Sequence, residues 1–258
     1  FGGTVSGEAA RIVLRDANAL TLGVVQTTGD LSLQSNGALN LGSSTVGGDL
    51  LAGSGNGNMT QTGPLTVGGT TGLDAGSGDI TLANAENDFT GLVTAIGDEV
   101  IIRDKNALAA TVTAMGDAVL TAGGDLSVSG SSQNLTTTTT GANSTTSFGV
   151  TTVAGALDVT STGNVGQTGA LTVTGTTSFD AAGRDVVLTN AGNDFGGAVS
   201  GEAARIVLRD ANALTLGVVT TTGDLELQSN GALNLGTSAV GGDLLAASGN
   251  GDMTQTGP

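Results

Sequence analysis

Three Arg-Asp pairs, Arg15-Asp16, Arg103-Asp104 and Arg209-Asp210, each followed by x-Asn-Ala-Leu, are the residues whose types could support chemistry. Polysaccharide lyases and hydrolases cluster acidic and basic side chains, with one carboxyl as acid and another as base or nucleophile. Recurrence argues against that use here, because a catalytic set is normally made once and this motif returns with every long repeat. Adjacent strand residues also face opposite ways, so Arg15 and Asp16 need not converge. A surface ion pair beside an Asn turn is the expectation, and no catalytic residue is assigned.

Gly-Asp pairs form a second set, including Asp30, Asp49, Asp98 and Asp117. Stacked at one corner, these carboxylates would make an acidic ladder suited to Ca²⁺, which takes several oxygen ligands. Two carboxylates about 4.8 Å apart repel by only about 1 kcal/mol in a water-like dielectric, so no ion is needed to hold them. The Gly-rich nonapeptides of Ca²⁺-binding solenoids are also missing. The preferred reading is a turn that ends one strand and starts the next, and no metal or cofactor site is assigned.

The remaining candidates are weaker. Thr occurs 40 times, with five in a row at 136–140. Regular Thr ranks on a flat sheet can order water as an ice-binding face does, but a Thr-x-Thr rank is not maintained from coil to coil, and solvated strands account for Thr equally well. Asn58, Asn134 and Asn143 begin Asn-x-Ser/Thr strings, which chance supplies in a Thr-rich chain. The glycines of 55–58 and 248–252 lack the Lys and the strand-to-helix setting of a phosphate loop.

Composition narrows the classes further. With no Cys or His, there is no disulfide, no thiolate or imidazole metal site, no Ser-His-Asp triad and no Cys nucleophile. A formal charge of −16 disfavours nucleic acid as a partner, since phosphate neutralisation needs a basic surface. No run approaches the roughly 20 apolar residues of a membrane-spanning helix. The hydrophobic share of 38% is nevertheless too high for a disordered acidic tail.

Repetition supplies the elements that position these residues. Residues 1–64 return as 195–258 with 57 of 64 positions identical, and a more divergent copy begins at Phe89. The long repeats are therefore 1–88, 89–194 and a partial 195–258, with a Ser/Thr-rich stretch at 131–149 read as an irregular insertion. Pro64 is followed by LTVGGTTGLDAGSGDITLANAENDF and Pro258 by nothing, so the chain reads as a window on a longer array.

Inside each long repeat, successive Gly-Asp pairs such as 29/30 and 48/49 recur at a spacing of about 19 residues, a second and shorter period. Aligned on that period, Ile12, Leu31 and Leu50 share one column, Leu20 and Leu39 a second, and Phe89 and Leu108 a third. Between turn residues the apolar positions alternate, as in Leu31-Ser-Leu33, and no helical apolar stripe persists for three turns. The expected fold is all-β, a parallel β-helix (β-solenoid) with coils of about 19 residues, read as right-handed because parallel crossovers overwhelmingly are. The chain is read as a single segment of roughly 13 to 14 coils in which no coil folds alone.

The strings NDFTG, DITLANAENDF, RDANALTLG, QTGALTVTGTT and GNMTQTG resemble the shaft repeats of filamentous-haemagglutinin-type exoproteins. Those are the large β-helical adhesins of bacterial two-partner secretion, a group that includes contact-dependent inhibition proteins. The resemblance implies an extracellular, cell-surface fibre exported through an outer-membrane partner. It also implies that host or neighbouring-cell ligands are met by regions outside this segment. The family's secretion domain, with its Asn-Pro-Asn motifs, is not in this sequence. The functional expectation is a non-enzymatic shaft presenting a distal binding or toxin module. A self-assembling filament or matrix/sheath protein is the alternative, and a β-helical polysaccharide-active enzyme is third.

Overall fold

A computed structural model describes residues 1–257. Among them are 31 strands and no helix. The described chain forms two compact units that divide between Gly124 and Asp125, inside the second long repeat rather than at its edge. Each unit is an all-β, parallel β-solenoid.

In the first unit one ladder runs Ile12, Leu31, Leu50, Thr71, Val93, Ala110. A second runs Leu20, Leu39, Met59, Ile80, Val100, Ala118. A third joins Val25, Ser44 and Leu65. In the second unit the corresponding ladders include Leu135, Leu157, Thr177, Val199, Leu216 and Thr146, Val165, Val186, Ile206, Leu225, Leu244. Each step is one coil. The step from Val93 to Ala110 is short and that from Thr71 to Val93 long, so the corners absorb differences in coil length while the strands stay in register.

Alternation decides what fills each coil. In Leu31–Ser35 the residues Leu31, Leu33 and Ser35 point inward and are buried, while Ser32 and Gln34 face out. Leu, Val, Ile and Ala carry most of the interior, and Phe89, Phe148, Phe179 and Phe195 are its largest fully buried side chains. At about 1.5 to 3 kcal/mol per buried aliphatic side chain, this column supplies most of the folding drive, and only neighbouring coils can cover it.

The columns of Ile12 and Leu20 pair as the Gly-Asp period predicts. Phe89 pairs with Val67 of the preceding coil, and its amide donates to the Asp104 carboxylate. The first long repeat does not close on a whole number of coils. The strand Val100–Asp104, counterpart of Ile12–Asp16, joins the Leu20 ladder, while the Ile12 ladder continues through Val93. Equivalent motifs of successive long repeats therefore lie on different faces of the first unit.

Residues 131–149 are built into the coils as strands, with a register shift where Val128 and Gly130 meet Phe148 and Thr151. They complete Leu126–Ser132, form Leu135–Thr139 and open Thr146–Val153, paired in register as Leu126 with Thr146 and Leu135 with Leu157. Period-2 alternation survives there with hydroxyls in place of aliphatics, since Thr137, Thr139 and Thr146 point inward and are buried.

Candidate functional site

The Asp of each RDxN motif is the inward end of its strand. Ile12, Leu14 and Asp16 share one face by alternation, as do Val100, Ile102 and Asp104, and Ile206, Leu208 and Asp210. Asp104 accepts hydrogen bonds from the amides of Phe89 (2.7 Å) and Asn106 (2.6 Å). Asp210 does the same with Phe195 (2.8 Å) and Asn212 (2.6 Å). At Asp16 the amino group of Phe1 takes the place of the Phe amide, and the Asn18 amide donates at 3.0 Å. One carboxylate thus fastens the start of each long repeat to the turn that follows its RDxN strand.

This geometry corrects the expected surface ion pair. Arg15 and Arg103 face solvent while their Asp neighbours turn inward, and among the described residues no Arg of the motif is paired with its adjacent Asp. Lys105 instead pairs with Asp88 at 3.0 Å. Burial pushes the carboxyls of Asp104 and Asp210 above the ordinary carboxylate value, opposed by the two backbone donors.

A second polar knot, absent from the sequence reading, is built from Gln and Asn. Asn87 and Asn193 are fully buried. Asn87 donates to Gln61 Oε1 (2.9 Å) and the Leu82 carbonyl (3.0 Å), and its Oδ1 accepts from Gln61 Nε2 (2.7 Å) and the Leu65 amide (2.9 Å). Asn193 repeats the set with Gln167, Leu188 and Leu171 at 2.7 to 3.1 Å. Every donor of the amide is used, which is the condition for burying it without loss. The signal was available: Gln61-Thr-Gly and Asn87-Asp-Phe recur as Gln167-Thr-Gly and Asn193-Asp-Phe at the same separation.

The Gly-Asp corners bond between coils rather than within a turn. Asp30 Oδ1 accepts the Asp49 amide (3.1 Å), and Asp49 Oδ1 accepts the Thr70 amide (2.7 Å) and hydroxyl (3.0 Å). Asp224 likewise accepts the Asp243 amide at 2.9 Å. The preceding glycine is required by this approach: a Cβ at Gly48 would lie 2.4 Å from Asp30 Oδ1, and at Gly242 2.3 Å from Asp224 Oδ1. Asn58 and Asn134, the first residues of two of the Asn-x-Thr strings, make the same kind of bond between coils at other corners by accepting the amides of Asp79 and Ala156. Among the described residues no group of three acidic side chains is placed to hold a metal ion.

The stack and its internal latches define a repeat protein of the parallel β-solenoid class. The chain belongs to the family described as repeats of unknown function (DUF5649), which matches residues 9–39, 28–96, 132–202, 203–234 and 225–258. No curated protein and no solved structure matches it.

Proposed function

We propose that this chain is a structural spacer: the repetitive shaft of a secreted, cell-surface bacterial exoprotein that holds a distal binding or toxin module away from the cell. The observation that carries the reading is the repeated Gln-Asn knot. Asn87 and Asn193 make the same four hydrogen bonds, so the polar residues that recur between repeats are spent on joining coils. The Asp104 and Asp210 carboxylates are likewise committed to backbone amides, which supports a non-enzymatic role. Stacked parallel strands resist bending and extend by adding repeats. Export through an outer-membrane partner and an extracellular location follow from the resemblance of the repeat strings to adhesin shafts.

A self-assembling filament or sheath is the second reading. Leu51 and its counterpart Leu245 are each 61% exposed on an outward sheet face, which favours lateral contact between chains. Electron microscopy of source cells with an antibody against this segment separates the readings. Label along fibres projecting from cells supports the shaft. Label on cell-free filaments or a continuous coat supports the polymer, and label only on non-fibrous soluble material overturns both.

A further inference from the structure

We propose that the second unit parts reversibly at one seam, between the coil of residues 135–153 and the coil of residues 157–173, while the coils that follow stay closed. The chemistry of the inward columns singles this seam out. Across it Leu135 meets Leu157, Thr137 meets Val159, Thr146 meets Val165, Thr151 meets Leu171 and Val153 meets Val173. Thr137, Thr139, Ser144, Thr146 and Thr151 are all buried, so hydroxyls take most of the inward positions of this coil. Further along the same unit the pairs are Val186 with Ile206, Leu188 with Leu208, Ile206 with Leu225 and Leu208 with Leu227.

Backbone pairing is common to both seams, so the side chains decide which opens first. Parting an aliphatic seam returns apolar surface to water and forfeits the main folding drive. Parting the hydroxyl seam forfeits less of it, and the side-chain bonds it breaks are remade with water. Those bonds are Thr146 Oγ1 to Ser161 Oγ (3.1 Å), the Thr162 amide to Thr139 Oγ1 (3.0 Å) and Ser161 Oγ to the Ser144 carbonyl (3.3 Å). A hydrogen bond exchanged for one with water contributes little net stability. Thr137 Oγ1, buried with no partner, gains one when the seam opens. The directional bonds of Thr139, Thr146 and Ser161 also restore the register on closing, because each joins a hydroxyl on one coil to a fixed partner on the other.

Local opening of this kind draws on the least stable cooperative unit of a structure. In a spacer under tension, the seam is where length is gained before the aliphatic coils separate. That use rests on the spacer reading, whereas the opening itself does not.

The chain has no Cys, so one introduced thiol reports opening at one place. Val153 and Val186 are both 0% exposed, so Val153→Cys and Val186→Cys make the same change at the hydroxyl seam and at an aliphatic one. Labelling by an aromatic disulfide reagent under native conditions should be at least tenfold faster in Val153→Cys. Adding Thr137→Val should slow it several-fold there and leave Val186→Cys unchanged. Amide hydrogen exchange of the parent chain asks the same question without a substitution: Thr146–Val153 and Leu157–Thr160 should exchange at least tenfold faster than residues 186–188 and 206–210. Equal labelling of the two variants overturns the proposal, as does equal exchange of the two regions. Equal slowing of both variants by Thr137→Val would mean that the thiols react only through global unfolding, which also overturns it. If circular dichroism shows that Val153→Cys does not fold, exchange in the parent chain decides alone. The microscopy tests the spacer reading separately, so failure of the seam and failure of the spacer are told apart.

Discussion

Gln167 and Asn193, far apart in sequence, exchange two side-chain hydrogen bonds, Gln167 Nε2 to Asn193 Oδ1 at 2.7 Å and Asn193 Nδ2 to Gln167 Oε1 at 2.8 Å. Asn193→Leu removes both and leaves the Leu171 amide and the Leu188 carbonyl without their side-chain partner. With about 1 to 3 kcal/mol for each buried group left unsatisfied, the expected loss is at least about 3 kcal/mol. Urea unfolding measures it. Because the pair acts as a unit, Gln167→Leu with Asn193→Leu should cost less than the sum of the single changes.

Asp210 connects folding to pH. Its carboxyl is raised above 3.8 by burial, so protonation is easier in the folded chain than in the unfolded one. The stabilising increment is fully present below the unfolded value and is lost as pH rises through the folded one. Asp210→Asn removes that increment and turns an N–H toward the Phe195 or Asn212 amide. It should therefore destabilise by about 1 to 3 kcal/mol, by an amount that grows as pH falls from neutral toward 4. Urea midpoints of both chains between pH 7 and 4 test the sign.

Much of the fold is legible in the residues because two periods agree. Leu31-Ser-Leu33 sets the inward face, and the spacing of the Gly-Asp pairs places Ile12, Leu31 and Leu50 in one ladder. The same alternation places Asp16 beside Ile12 and Leu14, so its inward direction was readable; the adjacent Arg made it look like half of a surface pair. The Gln-Asn knot is harder to foresee. Coils differ in length, as the steps Val93 to Ala110 and Thr71 to Val93 show, so the separation of Gln61 from Asn87 does not by itself assign a face.

Hydroxyls in the core leave room for improvement. Thr71, Thr137 and Thr177 have buried Oγ1 atoms with no hydrogen-bond partner. Thr→Val keeps the branched shape and removes the polar atom, so Thr137→Val should stabilise by about 1 kcal/mol. A thermal unfolding midpoint higher than that of the parent is the readout. An unchanged or lower midpoint would show that the hydroxyl is satisfied in solution by a bound water.

The corner glycines give the sharpest local contrast. At Gly242 an added Cβ meets Asp224 Oδ1 at 2.3 Å and the Gly223 carbonyl carbon at 2.8 Å, so the carboxylate that accepts the Asp243 amide must move. Gly166, within Val165–Gln167, has nothing within 4 Å of its Cβ position. Gly242→Ala should cost about 1 to 3 kcal/mol, the usual penalty for overpacking. Gly166→Ala should be neutral or stabilise by up to about 1 kcal/mol, since Ala has less backbone freedom to lose in a strand. Hydrogen exchange at Asp243 locates the effect: faster exchange in Gly242→Ala and unchanged exchange in Gly166→Ala follow if glycine is kept at the corners to admit the carboxylate of the neighbouring coil. Equal stability and equal exchange in the two variants would mean that the corner tolerates a side chain and that the Gly-Asp pairing has another cause.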